Sequence, residues 1–283
     1  MAITPPPVGV RATFEQISRG VRQQARPVGR FGAIPRPARW LFIVGCYNSG
    51  TTLLHRTLQV HPQIGSMPQE GQFLTDVFPA PRDLGLPRLW ALQPERFRLT
   101  EASTHVDAAR LKRQWGARFN DPCRPVLLEK SPTNTARTRW LEQHFENAHF
   151  VGVIRDGHAV AEGIRRRAGH GIRDAARQWR VCNEIMLEDF ARLRHARIIR
   201  YEDLVADPDT EIAGLFDFIG LPPMPNGLKS IRVDIRGQSS NIRDMNQSSV
   251  TALTEADRDT IHQEAGMLLE SLGYTRTAAG SQQ

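Results

Sequence analysis

The sequence predicts an α/β fold, a central parallel sheet with helices on both faces in three layers. Two observations predict it. Short apolar runs alternate with longer stretches of helical periodicity from about residue 39 onward, which is how parallel strands joined by crossover helices read in sequence. The first of those runs also passes through a glycine-bounded turn directly into a helix. Strands are expected at Leu41–Val44, Val126–Glu129, Phe150–Ile154 and Ile198–Tyr201. They are continuous rather than alternating, as strands covered on both faces are. Helices are expected over Thr51–Val60, Ala136–Glu146, His158–Arg167, Ile172–Arg192, Thr210–Ile219 and Glu255–Leu272. Asp207-Pro208 opens the fifth of these and Thr254 the sixth, while Gly220 and Gly273 close them. The stretches Leu221–Gly227 and Gln238–Ser249 read as loops.

The 283 residues suit one domain with a sizeable core, here placed at 39–283. Residues 1–38 are Pro- and Arg-rich, with Glu15 as their one acid, and are expected to form a flexible basic segment. Phe14, Ile17 and Val21 share a helical face among Arg11, Arg19 and Arg22, so a membrane or partner contact is the competing reading. No apolar run reaches membrane-spanning length and no secretory segment is evident. A cytoplasmic protein is expected. The net charge of +7 favours anionic ligands. Nearly all of it is arginine, with lysine at Lys112, Lys130 and Lys229 alone, and nucleic-acid binding is not read from it. Cys46, Cys123 and Cys182 show neither disulfide nor metal spacing.

The turn is Gly45-Cys46-Tyr47-Asn48-Ser49-Gly50-Thr51-Thr52. Backbone N–H groups of such a turn and of the helix start point at an anion, and the hydroxyls of Ser49, Thr51 and Thr52 add donors. Its glycine spacing is that of a nucleotide P-loop, but Thr51 stands where the lysine would reach a γ-phosphate. A 5′-phosphate or phosphosulfate fits better than a triphosphate. At the end of the third strand, Arg155 occupies the edge where parallel sheets bind ligands, and its planar fork suits a phosphate. Arg167 follows twelve residues later in a basic run.

Together these segments resemble the sulfotransferases that use 3′-phosphoadenosine 5′-phosphosulfate (PAPS), most closely the tyrosylprotein and related bacterial type. The loop resembles the family's phosphosulfate loop. His61-Pro62, Glu129-Lys130-Ser131-Pro132 and Arg155-Asp156-Gly157-His158-Ala159-Val160 resemble later motifs in order. So do Arg200-Tyr201-Glu202-Asp203-Leu204 and Phe216-Asp217-Phe218-Ile219-Gly220-Leu221-Pro222. The likeness covers about residues 40–222 and implies a P-loop-like fold and transfer of a sulfuryl group to an acceptor hydroxyl, with no metal. It implies cofactor contacts from Tyr47, Asn48, Ser49, Gly50, Thr51, Thr52, Arg155, the position of Gly163, Arg167, Tyr201 and, more loosely, Arg243. The missing secretory signal argues against a Golgi enzyme and for a bacterial cytoplasm.

Sulfuryl transfer needs a base on the acceptor side and cations on the leaving side. The family places a Glu or His shortly after the first helix. Without gaps Gln69 falls on that glutamate; a one-residue insertion brings Glu70 there, and Glu70 is taken as the base ahead of His55 and His61. Lys130 is taken as the cation on the leaving phosphate. Two positions depart from the pattern: Asn48 replaces a basic residue, and Gly163 replaces a 3′-phosphate serine. Competing readings are a P-loop kinase or NTPase, and a PAP-binding module that has lost catalysis. The acceptor stays open among peptide tyrosine, sugar, lipid and small molecules.

Overall fold

The structure, a computed structural model, describes residues 33–224, 233–235, 238–240 and 244–274. The amphipathic pattern around Phe14–Arg22 lies outside them. Five strands form one parallel sheet: β1 (Arg39–Gly45), β2 (Ile64–Ser66), β3 (Val126–Lys130), β4 (Ala148–Ile154) and β5 (Ala196–Arg200), in the order β2-β3-β1-β4-β5. The three-layer parallel fold expected from sequence is the one observed. β2 was not expected, and the four other strands run one or two residues beyond their predicted bounds at one or both ends, while β5 stops at Arg200, one residue short of its predicted end.

Strand alternation sends β1 side chains to two separate cores. Trp40, Phe42 and Val44 join one cluster with Leu127, Trp115, Trp140, Phe145, Phe150 and Trp179. Leu41 and Ile43 join the other with Leu128, Val126, Val151, Val153 and Leu54. Helices α1 (Thr51–Leu58), α2 (Ala108–Gly116), α3 (Thr138–His144), α4 (Gly157–Ala168), α5 (Ile172–Phe190), α6 (Tyr201–Ala206), α7 (Pro208–Phe218), α8 (Asn246–Thr251) and α9 (Glu255–Ser271) complete the described chain, with a short antiparallel ribbon of β6 (Val233–Ile235) and β7 (Gln238–Ser240). Thr254 and Asp257 form a reciprocal capping box at α9, as the sequence signal there implies. The helix expected over Ala136–Glu146 is observed as α3, Thr138–His144, with its first two residues, Ala136 and Arg137, belonging to a preceding 3₁₀ segment, Pro132–Arg137. The Gln238–Ser249 run expected as a loop contains β7 and most of α8. Pro35 is buried and packs where a Cβ on Gly116 would stand, within 2.7 Å of its ring.

The sheet order has a functional consequence. β1 is central, the chain runs from it to β2 and β3 on one side and then crosses to β4 and β5 on the other, and the switch point lies at the carboxyl end of β1. The turn after β1, Glu70 after β2, Lys130 at the end of β3, Arg155 after β4 and Tyr201 after β5 all emerge at that edge.

Candidate active site

The turn after β1 is held open by glycine. Gly50 has φ 97°, and a Cβ on it would lie 2.5 Å from the Tyr201 ring, so only hydrogen fits between loop and ring. Gly50 is also the N-cap of α1 and offers no side-chain cap, which leaves the first amides of that helix available to an anion. The Ser49 hydroxyl is buried without a partner, and so is the Asn48 amide nitrogen. Thr52 is exposed at the loop's open side.

Arg155 is aimed at this loop. Its Nη1 donates to the Asn48 carbonyl at 2.8 Å and its Nε to Asn246 Oδ1 at 2.7 Å. The guanidinium lies 4.2 Å above the Tyr201 ring, and Nη2 is buried with no partner. Burial lowers the Arg155 pKa, an effect opposed by Tyr201 and Glu202. Glu202 organises the surroundings. It accepts from Asn246 Nδ2 at 2.7 Å, from the Asp156 N–H at 3.0 Å and from the Tyr274 hydroxyl at 2.9 Å. Burial and Glu202 raise the Tyr274 pKa, so that hydroxyl stays a donor. Three buried unpartnered donors, Asn48 Nδ2, Ser49 Oγ and Arg155 Nη2, thus belong to one loop and the arginine bonded to it. They fit an anionic ligand, since an unsatisfied buried donor is otherwise unfavourable.

On the other side of the loop, Lys130 Nζ donates to Glu70 Oε1 at 2.7 Å and to Thr52 Oγ1 at 3.2 Å. The residue after β2 that reaches the lysine is therefore Glu70. Gln72 Nε2 donates to the second Glu70 oxygen, and Gln72 Oε1 accepts from Thr133 Oγ1 at 2.8 Å. The Tyr47 ring is buried here rather than beside Arg155; it shares a hydrogen bond with Gln72 and lies under the Arg88 guanidinium at 5.5 Å. Burial, then the Glu70 charge, raises the Tyr47 pKa, which keeps the phenol neutral.

The two histidines weighed against Glu70 are differently placed. His55 is buried on α1, and burial with Lys130 and Arg56 lowers its pKa to about 3, which makes it a poor proton acceptor. Both His61 nitrogens are engaged: Nδ1 accepts from the Gln63 N–H at 3.1 Å and Nε2 stands 3.1 Å from the Pro222 carbonyl.

Family membership is decided by the match of a model described as the sulfotransferase family to residues 41–226. The chain belongs to the sulfotransferase family. Among curated relatives, protein-tyrosine sulfotransferase 2 of Gallus gallus is 28% identical over 196 residues, 64% of this chain and 51% of the relative. Protein-tyrosine sulfotransferase of Drosophila melanogaster is 25% identical over 264 residues, 83% of this chain and 51% of the relative. The chain spans about half the length of the curated relatives it matches. Two solved structures share the fold. One is the sulfotransferase domain from the Synechococcus PCC 7002 olefin synthase (TM-score 0.52, 23% identity, 85% of this chain and 96% of that one). The other is sulfotransferase STF9 from Mycobacterium avium (TM-score 0.55, 14% identity, 94% and 86%).

Within this member of the family the two departures from the family pattern are in contact. Asn48 has φ 65°, and a Cβ on Gly163 would lie 3.3 Å from Asn48 Cβ, Cγ and Nδ2. Asn48 thus leans over α4 into the space a side chain at 163 would enter. Arg167, by contrast, is exposed on the last turn of α4, and its side chain has no hydrogen bond or ion pair with another described residue. Arg243 lies outside the described residues. Sequence reasoning missed Asn246, which carries no motif signal, and Thr135, whose hydroxyl accepts from the Gly45 N–H at 3.0 Å. Among the described residues no helix is long and apolar enough to cross a membrane, and no group of three or more metal-ligating side chains is gathered.

Proposed function

We propose that this chain moves a sulfuryl group from PAPS to an acceptor hydroxyl, with Glu70 as base and Lys130 between base and phosphate loop. The observation that carries the reading is the Lys130 ammonium itself, bonded at once to Glu70 Oε1 and to the loop hydroxyl of Thr52. PAPS, when bound, supplies the sulfuryl group and leaves as 3′-phosphoadenosine 5′-phosphate (PAP).

The chain's own contributions follow from its chemistry. Glu70, paired with Lys130, accepts the acceptor's proton at a carboxylate oxygen. Lys130 has three N–H donors, two of them committed, and the third is available to charge growing on the departing phosphate. Ser49, Thr51, Thr52 and the first amides of α1 hold the phosphosulfate end. Arg155, with Nη2 unpartnered, holds the 3′-phosphate, and Tyr201 fixes the arginine's plane from below. The neutral Asn48 amide donates where the family has a cation, so more of the leaving-group stabilisation falls to Lys130. Residues 73–123 build the acceptor side. There a cavity of about 440 Å³ is lined by Asp76, Phe78, Phe97, His105 and Arg110 among others. A hydroxyl-bearing acceptor enters from this side.

Calorimetry tests the two-ended nucleotide site. PAP binds more tightly than AMP or ATP, and Arg155→Ala weakens PAP by on the order of 1.5–3 kcal/mol, the value of a charged phosphate contact. Equal affinity for AMP and PAP, unaffected by the substitution, would refute the assignment of Arg155.

A further inference from the structure

Glu129 is fully buried and has no ion pair among the described residues. Burial pushes its pKa up to about 7 against the hydrogen bonds that lower it. A carboxylate placed so deep is unfavourable unless its oxygens are filled, and here they are filled by the turn that carries Glu70 together with Ser131 and Asn134. Oε1 accepts from the Gly71 N–H at 2.9 Å and from the Ser131 hydroxyl; Oε2 accepts from Asn134 Nδ2 at 2.6 Å. Ser131 Oγ in turn accepts from the Gln72 N–H at 3.2 Å, and Trp115 Nε1 donates to the Gly71 carbonyl at 3.0 Å. The contact is close enough to require glycine, because a Cβ on Gly71 would stand 2.7 Å from Glu129 Oε1 and 2.9 Å from the Trp115 ring.

Strand geometry explains why two neighbours in sequence grip one turn from opposite sides. Along β3, Leu127 faces the larger core and Leu128 the smaller one, so Glu129 and Lys130 also diverge. Lys130 reaches the Glu70 side chain, whereas Glu129 reaches the backbone one residue later.

We infer that Glu129 is a positioning residue for sulfuryl transfer: its carboxylate, with Ser131, fixes the Glu70-Gly71-Gln72 turn so that the base faces Lys130 and the phosphate loop. The inference rests on Glu70 being the base. It acts through Glu70 and does not touch the nucleotide side, since none of its contacts involves the β1–α1 loop or Arg155.

The test compares Glu129→Met, which keeps length but accepts no hydrogen bond, with Glu129→Gln, which keeps one acceptor oxygen. In the protein without ligand, amide exchange at Gly71 and Gln72 speeds up by about tenfold or more in Glu129→Met, while amides of β4 keep their protection. PAP affinity by calorimetry stays within about twofold, and Glu129→Gln recovers most of the lost protection. Turnover is read with radiolabelled PAPS and the hydroxyl acceptor that the wild type labels fastest. It falls by about 10–100-fold in Glu129→Met but by no more than about twofold when the same change is made in a Glu70→Gln background. If Glu129→Met does not fold, Ser131→Ala, which frees the Gln72 N–H, is read the same way.

Unchanged exchange at Gly71 and Gln72, parallel loss of PAP binding, or an additive loss of turnover in the Glu70→Gln background would each overturn the inference. A Glu70→Gln protein with wild-type turnover would overturn the base assignment and the positioning role with it. Additivity in the presence of a large Glu70→Gln effect overturns the positioning role alone.

Discussion

Glu70→Gln lowers turnover by about 10²–10⁴-fold while leaving PAP affinity nearly unchanged, the signature of a lost general base. The variant is a close test because the amide keeps an oxygen for the Lys130 ammonium, now 2.7 Å from the carboxylate. What it removes is a site for the acceptor's proton. The neighbours do not replace it: Tyr47 is held as a neutral phenol, and His55, with its pKa lowered to about 3, has little appetite for a proton. Steady-state turnover and PAP calorimetry on the same preparation decide the matter. Near wild-type turnover would remove Glu70 from the mechanism.

Lys130→Ala has the second large effect. It lowers turnover by about 10²–10³-fold, more than it weakens PAP binding, because an interaction that strengthens as charge moves to the leaving group counts in the transition state. The substitution also leaves the partly buried Glu70 carboxylate with only the Gln72 amide as partner, among contacts shown by the structure. Single-turnover rates at saturating PAPS, set against Kd for PAP, separate the two contributions. Equal losses in both would reduce Lys130 to a ground-state contact. Asn48→Lys offers a check on placement. Asn48 packs over Gly163 on α4, while Lys130 sits on Glu70 and Thr52. A lysine at 48 that restores turnover to Lys130→Ala shows that both side chains reach the same departing oxygen.

Much of this was legible in sequence because the fold writes its site at strand ends. Leu41–Val44, Val126–Glu129 and Phe150–Ile154 are apolar runs, and the residues just past them are the phosphate loop, Lys130 and Arg155. β2 was not legible, since a three-residue strand, Ile-Gly-Ser, has one large apolar residue and no periodicity. α8, Asn-Gln-Ser-Ser-Val-Thr, lies in a polar run and is held by tertiary contacts such as Asn246 on Arg155 and Glu202. The 3₁₀ segment Pro132–Arg137 ahead of the expected helix was not legible, since its side chains are drawn to tertiary partners: Asn134 to Glu129 and Arg137 to the Phe97 carbonyl. Glu129 itself stands in the sequence only as the neighbour of Lys130 in the Glu129-Lys130-Ser131-Pro132 motif. Only the divergence of successive strand side chains reveals that each grips a different part of the same turn. The contact between Asn48 and Gly163 was likewise invisible, as the two positions are brought together only by packing of α4 against the loop.

The most direct measurement is transfer itself. Purified protein is incubated with radiolabelled PAPS and a panel of peptide, sugar, lipid and small-molecule hydroxyls, in parallel with γ-labelled ATP and Mg²⁺. The account predicts label on at least one hydroxyl acceptor from PAPS, stoichiometric release of PAP, loss of that label in Glu70→Gln, and no transfer from ATP. PAP binding without transfer to any acceptor, or phosphoryl transfer from ATP in its place, would contradict it.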